Sequence, residues 1–517
     1  MQRLTPRLLS ILLASLVLFP AGTARGTAAA PRPDQIPEPP APGPEALLAL
    51  EQVNRHRTAA GVPPLAYDPA LGAAARAHAE YLAANPNQWE PSAHGEVPEA
   101  PGFTGRRPAD RAALFGYRGS VGEIVHFAGP AEQAVDGWME TLYHRLPLLS
   151  PDTAVIGYGV AATPDGRFVN VLDYGVARPD AGLNGAVAWP YPGQSGVPTA
   201  WDGREVPDPF RLHPGVAGPV GYPITLTFAG TVRSLRLTDA VLTGPGGDVP
   251  VLRFDPGSDE RLSDTVAVIP ATPLRPHSRY TVRMRGLVDR GWGPEPFDRA
   301  WSFTTGPESR QVRVRSVTTW LDGLRLGGEG FGPEMAVFAG GLPVEGLQVA
   351  DGGSATFRLP ACGREEAAEL LVVSPDGSEA AMPLFAGCDR RADDGDPFRP
   401  VPVRVAGADL DVPALLGPGG AVLLPEEALV ALGAVREEEP ALGRTYWRLG
   451  GRMGHYTPGR VTAWAAGERL RLALPVQEHD GVVYVDKSFV ERLAQAESRI
   501  TGGTLYVGDD GWGPGRD

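Results

Sequence analysis

The chain is interrupted throughout by residues that end regular structure, with 66 glycines and 54 prolines among 517 residues. Glycine loses more conformational entropy in a helix than other residues, and proline lacks a backbone N–H, so both favour turns. This density predicts short elements joined by turns and argues against an all-helical fold. A chain of this length is too long to fold around one hydrophobic core. At about 150 residues per domain we expect three or four modules, and the sequence divides into four.

Acidic residues outnumber basic ones, which gives a net charge of −14 and a pI near 5.2. No run of basic residues offsets this charge. An acidic surface repels phosphate backbones and anionic lipid headgroups. The composition therefore predicts no nucleic-acid partner.

The first residues have the pattern of a signal peptide. Arg3 and Arg7 precede an apolar run over residues 8–19, and small residues follow it. A membrane-spanning helix needs about 20 apolar residues, and no stretch of the chain reaches that length. We therefore expect a signal peptide over residues 1–24, a Pro- and Ala-rich linker over 25–43, and a protein that is secreted, extracellular or associated with the cell envelope, not integral to the membrane.

Cys362 and Cys388 are the two cysteines of the chain. Both fall in the third module, and an even pair in an exported chain favours a disulfide over a metal site. A pair of free core thiols is the alternative.

The first module, residues 44–178, combines helical and strand patterns. Apolar residues at helical spacing and helix-starting prolines predict helices, and a Pro-Asp-Gly turn separates two strand-like runs. Helices before a strand pair predict a compact α+β domain. The predicted helices cover residues 45–60, 69–84 and 130–146, the last ending before Pro147, and the predicted strands cover 155–162 and 167–174.

Three further modules follow. The second and third are rich in short strands between Pro and Gly, which predicts β-sandwiches, and the fourth alternates strands with short helices. The segment from Trp301 to Gly306 resembles the last strand of bacterial Ig-like domains, LRLGGEGFGP resembles the opening of IPT/TIG sandwiches, and the fourth module resembles the copper amine oxidase N-terminal stalk domain. That stalk lies outside the oxidase active site, so no copper is expected. The modules cover residues 183–306, 309–389 and 401–509, with a linker over 390–400.

The first module carries a set of residues in a characteristic order: Asn54, Arg57, Leu65, Asp68, Leu71, His78, Ala79, His94, Gly116, Tyr117, Gly122, Glu123, Trp138, His144, Arg145, Gly157 and Gly159. None of these residues is specific alone, but their order over about 130 residues is. In this order the first module resembles the CAP superfamily, that is, the bacterial type of SCP-like extracellular domain. The expected fold is thus multidomain: an α-β-α CAP sandwich, two all-β Ig-like sandwiches and a small α+β stalk-type domain.

The resemblance implies a cleft lined by two histidines and two acidic residues. The matching positions are His94 and His144 for the histidines, and Glu123 and Glu140 for the acids. In several members of the family the histidines hold a divalent metal. Imidazole and carboxylate ligands suit zinc, which acidifies a bound water. On one helix, Glu140 and His144 would share a face.

Two features depart from the family pattern. Ile124 stands where the family usually has asparagine, and Glu96 adds a carboxylate that could replace either acid. The alternative to a cleft is that Glu140 and His144 form a surface pair while His94 lies in a solvated loop.

The other histidines of the first module have simpler interpretations. His56 and His78 are expected to cap or line a helix face, and His126 is left unassigned. No G-x-S-x-G, H-E-x-x-H or P-loop sequence supports an enzyme.

Two functions remain open. The first is a non-catalytic protein that binds a cell-wall or other extracellular ligand. The second is a metal-dependent hydrolase or peptidase that uses His94, Glu123, Glu140 and His144. Lipid or sterol capture is implied only by some eukaryotic relatives, and no residue here marks a lipid cavity.

Overall fold

The computed structural model of the chain describes residues 39–88, 92–127, 129–176, 185–308, 312–320, 323–360, 368–375, 377–384, 397–439 and 442–508. The predicted signal peptide, most of the first linker, and both Cys362 and Cys388 lie outside the described residues. Within the described part, no helix is long and apolar enough to cross a membrane.

The first module folds as helices around a four-stranded sheet. Its strands lie in the order β1-β3-β4-β2, with β1 parallel to β3 and the other pairs antiparallel. The predicted first and second helices and both predicted strands are confirmed within one or two residues. The helices are α1 (Pro44–Ala59), α2 (Pro69–Ala84), α3 (Pro108–Leu114), α4 (Ala131–Glu140) and α5 (Arg145–Leu149), and the strands are β1 (Ala66–Tyr67), β2 (Val121–His126), β3 (Thr153–Ala162) and β4 (Phe168–Val176).

Helices cover both faces of this sheet. Successive strand residues point to opposite faces. Val169 and Val171 of β4 pack in one apolar cluster with α2, whereas Leu172 packs in another with α1 and α4. The arrangement is the expected α-β-α sandwich.

The second helix is held at its start and along its length. The Asp68 carboxylate accepts hydrogen bonds from the N–H groups of Ala70 (2.9 Å) and Leu71 (3.0 Å), which otherwise lack a helical acceptor. Further along, α2 lies directly on β3 at Gly157 and Gly159. A side-chain Cβ at either glycine would overlap the helix backbone, so only glycine allows this approach.

The predicted third helix is wrong beyond Glu140. Helix α4 ends there, Thr141 adopts an extended conformation (φ −89°, ψ 170°), and α5 begins only at Arg145. Pro147 lies inside α5 and does not block it. It occupies the first turn, where the N–H that proline lacks would have no helical acceptor.

The second and third modules each contain two four-stranded antiparallel sheets, as expected for β-sandwiches. The sheet orders are β5-β6-β10-β9 and β12-β11-β7-β8, then β13-β14-β18-β17 and β16-β15-β19-β20. The strands are β5 (Ala186–Trp189), β6 (Ile224–Phe228), β7 (Ser234–Gly244), β8 (Gly247–Val249), β9 (Val251–Phe254), β10 (Thr265–Pro270), β11 (Arg279–Asp289), β12 (Pro294–Thr304), β13 (Arg313–Trp320), β14 (Gly323–Glu329), β15 (Ala336–Ala339), β16 (Leu342–Pro343), β17 (Glu345–Asp351), β18 (Ser354–Arg358), β19 (Ala368–Val373) and β20 (Glu379–Leu384).

The fourth module has the predicted strands and short helices and also a five-stranded sheet, β26 to β30, that the sequence did not indicate. The other sheets are β21-β24-β25-β32-β31 and β23-β22-β34-β33. The elements are β21 (Arg399–Val401), β22 (Val403–Val405), β23 (Ala408–Asp409), β24 (Ala414–Leu416), β25 (Val422–Pro425), α6 (Glu427–Ala431), β26 (Val435–Glu439), β27 (Arg444–Leu449), β28 (Arg452–Tyr456), β29 (Thr462–Ala465), β30 (Glu468–Arg471), β31 (Gln477–His479), β32 (Val482–Asp486), α7 (Lys487–Ala494), β33 (Ser498–Thr501) and β34 (Thr504–Val507).

Three of the four modules share one apolar core. A single cluster contains Leu48 and Val53 of the first module, Trp189 of the second, and Tyr446 and Met453 of the fourth. The modules therefore pack on one another and are not strung along extended linkers.

A buried charge cluster joins the first module to the fourth. Arg444 forms ion pairs with Glu45 and Glu132, the Tyr446 hydroxyl donates to Glu45, and His455 hydrogen-bonds Glu132. Burial alone would raise the pKa of Glu132, but the nearby His455 and Arg444 outweigh it and lower the pKa to about 2. The cluster is a fixed part of this interface, since an unpaired charge could not remain buried there.

Candidate functional site in the first module

The loop between α2 and α3 carries His94, which pairs with Glu123 of β2. The His94 Nδ1 atom lies 2.9 Å from Glu123 Oε1, with the histidine side chain 42% exposed and the glutamate 1%. Arg111 of α3 donates from Nη2 to Glu123 Oε2 (2.6 Å) and to the His94 carbonyl (3.2 Å). One buried arginine therefore fixes both members of the pair.

The charge state of Glu123 follows from these partners. Burial would raise the pKa of Glu123, but the hydrogen bond from His94 and the charges of His78 and Arg111 lower it below its usual value. Glu123 is therefore an ionised, buried carboxylate behind an exposed imidazole.

Glu96 forms a separate buried set with His78 of α2. The His78 Nδ1 atom lies 2.9 Å from Glu96 Oε1, and the N–H groups of Thr104 (2.6 Å) and Gly105 (3.1 Å) donate to Glu96 Oε2. Burial would raise the pKa of Glu96, but these hydrogen bonds and the charge of Arg111 leave it lowered. Because Glu96 accepts hydrogen bonds from His78 and from the N–H groups of Thr104 and Gly105, it holds the loop in place.

Both ring nitrogens of His78 have partners. Its Nε2 atom lies 2.7 Å from the Ala93 carbonyl, which can only accept a hydrogen bond, so Nε2 donates to it. The Nδ1 atom faces Glu96. His78 is thus held at both nitrogens on the buried face of α2.

Asp173 of β4 is paired with Glu123 on the neighbouring antiparallel strand β2. Neither of its carboxylate oxygens has a hydrogen-bond partner among the described residues, and the side chain is fully buried. Burial and the charge of Glu123 raise the pKa of Asp173 well above its ordinary value. Its surroundings therefore favour the protonated, neutral form of Asp173.

His144 is directed toward the second module. Its Nδ1 atom lies 2.7 Å from Oε1 of Glu205, a fully buried side chain. Glu205 also accepts hydrogen bonds from the N–H groups of Leu142 (2.9 Å), Tyr143 (2.7 Å) and His144 itself (3.0 Å). A carboxylate from the next module thus holds the segment that was predicted to be helical.

Glu140 is exposed at the end of α4. Because α4 ends at this residue, the expected one-face relation between Glu140 and His144 is wrong. The structure brings His94 together with Glu123, and it gives Glu96 and His144 other partners.

Comparison with known families gives one match to a family model. Residues 50–174 match the family described as CAP, the cysteine-rich secretory protein family. These residues form a CAP domain. A comparison with curated proteins returned no match.

Two solved structures resemble this CAP domain. An outer surface protein from Borrelia burgdorferi is 20% identical, with 25% of this chain and 90% of that chain covered and a TM-score of 0.21. Venom allergen-like protein 4 from Schistosoma mansoni is 14% identical, with 26% of this chain and 90% of that chain covered and a TM-score of 0.19.

The family resemblance implied that His94 and His144 could hold a divalent metal. Among the described residues, no group of three or more His, Cys, Asp or Glu side chains is placed to hold a metal ion. A catalytic zinc site needs three protein ligands. The described side chains therefore do not fit such a site, and no chemical step is assigned to a metal.

Sequence reasoning missed three residues of this region: Arg111, Asp173 and Glu205. His78 lines the buried face of α2 with Leu71 and Ala75, as expected, and Glu96 supplies the polar partner that a buried histidine needs. The sequence does not show how β2 pairs with β4, so nothing in it indicated that Asp173 would lie beside Glu123.

Proposed function

We propose that the CAP domain is the non-catalytic binding head of an extracellular or envelope-associated protein. One observation carries the proposal: the histidines and acids expected in one cleft are divided among separate hydrogen-bonded sets. His144 is bonded to Glu205 and Glu96 to His78, while His94 alone is exposed beside Glu123. Groups that hold backbone donors in a buried site are committed to structure.

The loop that carries His94 also presents apolar surface. Val97 is 53% exposed and Phe103 is 38% exposed, and both lie between Glu96 and the residue that it binds, Thr104. Exposed apolar side chains on a rigid loop are typical of binding surfaces. We assign ligand contact to this loop, with His94 as its polar member.

The location outside the cell rests on the predicted signal peptide and on the secretory description of the family. The Ig-like, IPT/TIG-like and stalk-type identities of the later modules belong to the same proposal. Their role here is to support the CAP domain as a packed body.

The test measures binding of the purified chain to cell-wall, membrane and secreted-protein fractions. We expect binding to one fraction, weakened at least tenfold by Val97→Ser with Phe103→Ser. The matched control is Val430→Ser on α6, which removes a similarly exposed valine. Absence of binding to every fraction, or equal binding by the double variant, contradicts the proposal.

A metal-dependent hydrolase or peptidase is the second candidate, favoured by the His94–Glu123 pair. It would need a further metal ligand that the described residues do not bring to this pair. A buried carboxylate on Nδ1 orients an imidazole, as a general base requires. The test is zinc content after mild purification together with hydrolysis assays of His94→Ala. Zinc at one equivalent and loss of hydrolysis in His94→Ala would favour this candidate; metal-free protein with unchanged hydrolysis would end it.

A further inference from the structure

One end of the second module carries an exposed aromatic tip. Trp292 lies in the turn between β11 and β12 and is 86% exposed, more than any other large apolar side chain among the described residues. Leu287, near the same end of β11, is 38% exposed. In the sheet it lies between Arg236 of β7 and the exposed Pro296 of β12. This end of the sheet therefore presents apolar side chains to solvent.

The turn that carries Trp292 is fixed. The Asp289 carboxylate accepts hydrogen bonds from the N–H groups of Gly291 (2.7 Å) and Gly293 (3.2 Å). Both glycines have positive φ, at 109° and 104°, where other residues are strained. Trp292 is therefore held on a preorganised turn, which lowers the entropy lost when it meets a partner.

Arginines surround the tip. Arg290 precedes Gly291 in the turn, and the Arg233 guanidinium lies beside the same glycine. Arg236 is the neighbour of Leu287 in the sheet. Among the described residues, no carboxylate forms an ion pair with Arg233 or Arg236. Two guanidinium groups at the tip are therefore available to an anionic partner.

Two acids lie at the same end of the sheet. The Asp289 carboxylate is turned into the loop by its N–H donors, and Glu295 is exposed on β12. Three arginines against two acids leave the tip with a small positive charge, on a chain whose net charge is −14. Charges more than about 8–10 Å away are largely screened at physiological ionic strength. The tip can therefore approach an anionic surface that the chain as a whole repels.

The shape of the tip restricts the kind of partner. Sites for small molecules are clefts, whereas a protruding side chain offers no concave surface to a small ligand. The partner must instead close around the side chain, as the headgroup region of a bilayer does. There tryptophan buries its ring and keeps its N–H near water, and arginine buries its aliphatic stem and keeps its charge among the headgroups. Tryptophan ringed by arginine fits this boundary.

We propose that the tip around Trp292 is a peripheral membrane-contact site for a bilayer with anionic headgroups. Trp292 and Leu287 enter the headgroup region, while Arg233 and Arg236 lie against lipid phosphates. Reversible surface binding of this kind needs an apolar and an electrostatic contribution together, and the tip supplies both. The site lies on a different module from the loop around His94, so it does not depend on the function proposed for that loop.

The test is co-sedimentation of the full chain with lipid vesicles. Vesicles of equal parts phosphatidylglycerol and phosphatidylcholine should bind the chain, and vesicles of phosphatidylcholine alone should bind it roughly tenfold more weakly or less. Raising the ionic strength should weaken binding to the anionic vesicles, because salt screens the arginines. Binding that is equal for both kinds of vesicle contradicts the electrostatic part of the proposal.

Variants of the tip should change this binding in both directions. Trp292→Ser removes the largest apolar group and should weaken binding roughly tenfold or more. Arg233→Gln and Arg236→Gln should each weaken it about fivefold, which is the contribution of one basic residue near an anionic surface. Glu295→Gln removes a repelled charge and should strengthen it by up to about the same factor.

Brominated phosphatidylcholine in the anionic vesicles gives a second readout, because it quenches the fluorescence of tryptophans that enter the bilayer. Quenching should occur with the unaltered chain and disappear in Trp292→Ser. The matched controls are Arg279→Gln, at the opposite end of β11, and Val241→Ser, a 36% exposed valine on the same sheet. Both should bind like the unaltered chain.

Three results would overturn the proposal. The first is that the chain does not bind anionic vesicles at all. The second is that Trp292→Ser binds them undiminished; if this variant at the same time loses binding to extracted envelope proteins, the partner of the tip is a protein. The third is that Arg279→Gln weakens binding as much as Arg233→Gln, which would show that the charge is not read at the tip.

Discussion

Replacing Glu205 with alanine tests how far the second module holds the CAP domain in shape. Glu205 accepts hydrogen bonds from the N–H groups of Leu142, Tyr143 and His144 and from the His144 ring. Each buried N–H left unsatisfied costs about 1–3 kcal/mol. The His144 ring is partly exposed and can hydrogen-bond water instead. The three backbone donors therefore determine the loss of stability, which is about 3 kcal/mol or more.

The measurement is native-state hydrogen exchange, since a chain of several modules need not unfold in two states. An effect of about 3 kcal/mol corresponds to roughly a hundredfold faster exchange, because each 1.4 kcal/mol is about tenfold. We expect that acceleration in peptides covering residues 139–149. Sites in the third module should exchange as before.

The matched control is Asp202→Ala, three residues away in the same loop. Its carboxylate is half exposed and accepts a hydrogen bond from the N–H of Arg204. Surface changes of this kind usually lie within about 0.5 kcal/mol. If Glu205→Ala exchanges like Asp202→Ala over residues 139–149, the carboxylate does not hold this segment and the reasoning is refuted.

Two further predictions concern stability. Burial and the adjacent Arg444 lower the pKa of His455 below 6.5, and the pKa of Glu132 is lowered to about 2. Both groups bind more protons in the unfolded chain than in the folded one, so the free energy of unfolding should fall as the pH drops below about 6.5. Urea midpoints measured at pH 7, 5 and 4 should decrease in that order. Equal midpoints would show that the cluster contributes nothing. Gly159→Ala places a Cβ against the α2 backbone and should cost about 1–3 kcal/mol in thermal or urea unfolding, whereas Gly166→Ala, with open space around it, tests the effect of positive φ alone.

Local signals were sufficient for part of the CAP domain. The start of α2 was readable because Asp68 and Pro69 satisfy the needs of a helix N-terminus without distant partners. The β3–β4 hairpin was readable because Pro164, Asp165 and Gly166 form its turn. In both places the residues that decide the structure are neighbours in the sequence.

The end of α4 was not readable for the opposite reason. Residues 142–144 have N–H groups that a continuing helix would bond to its own carbonyls. Glu205, about 60 residues later, supplies the acceptor instead. Arg444 reaches Glu45 across a separation of 399 residues in the same way. A periodicity scan cannot detect such partners, so sequence reasoning described the modules as strings of elements and missed how they pack.

This packing changes what the family resemblance can predict about the site. A cleft inferred from CAP domains assumes that His144 is available to the same ligand as His94. Here the second module supplies Glu205 as the partner of His144, so the chain's own β-sandwich occupies one half of the expected pair. His94 keeps an exposed edge and a buried carboxylate behind it. Under the proposed function, we therefore expect ligand contact in the loop around His94, and the expectation of a two-histidine cleft applies only if the contact between Glu205 and His144 opens.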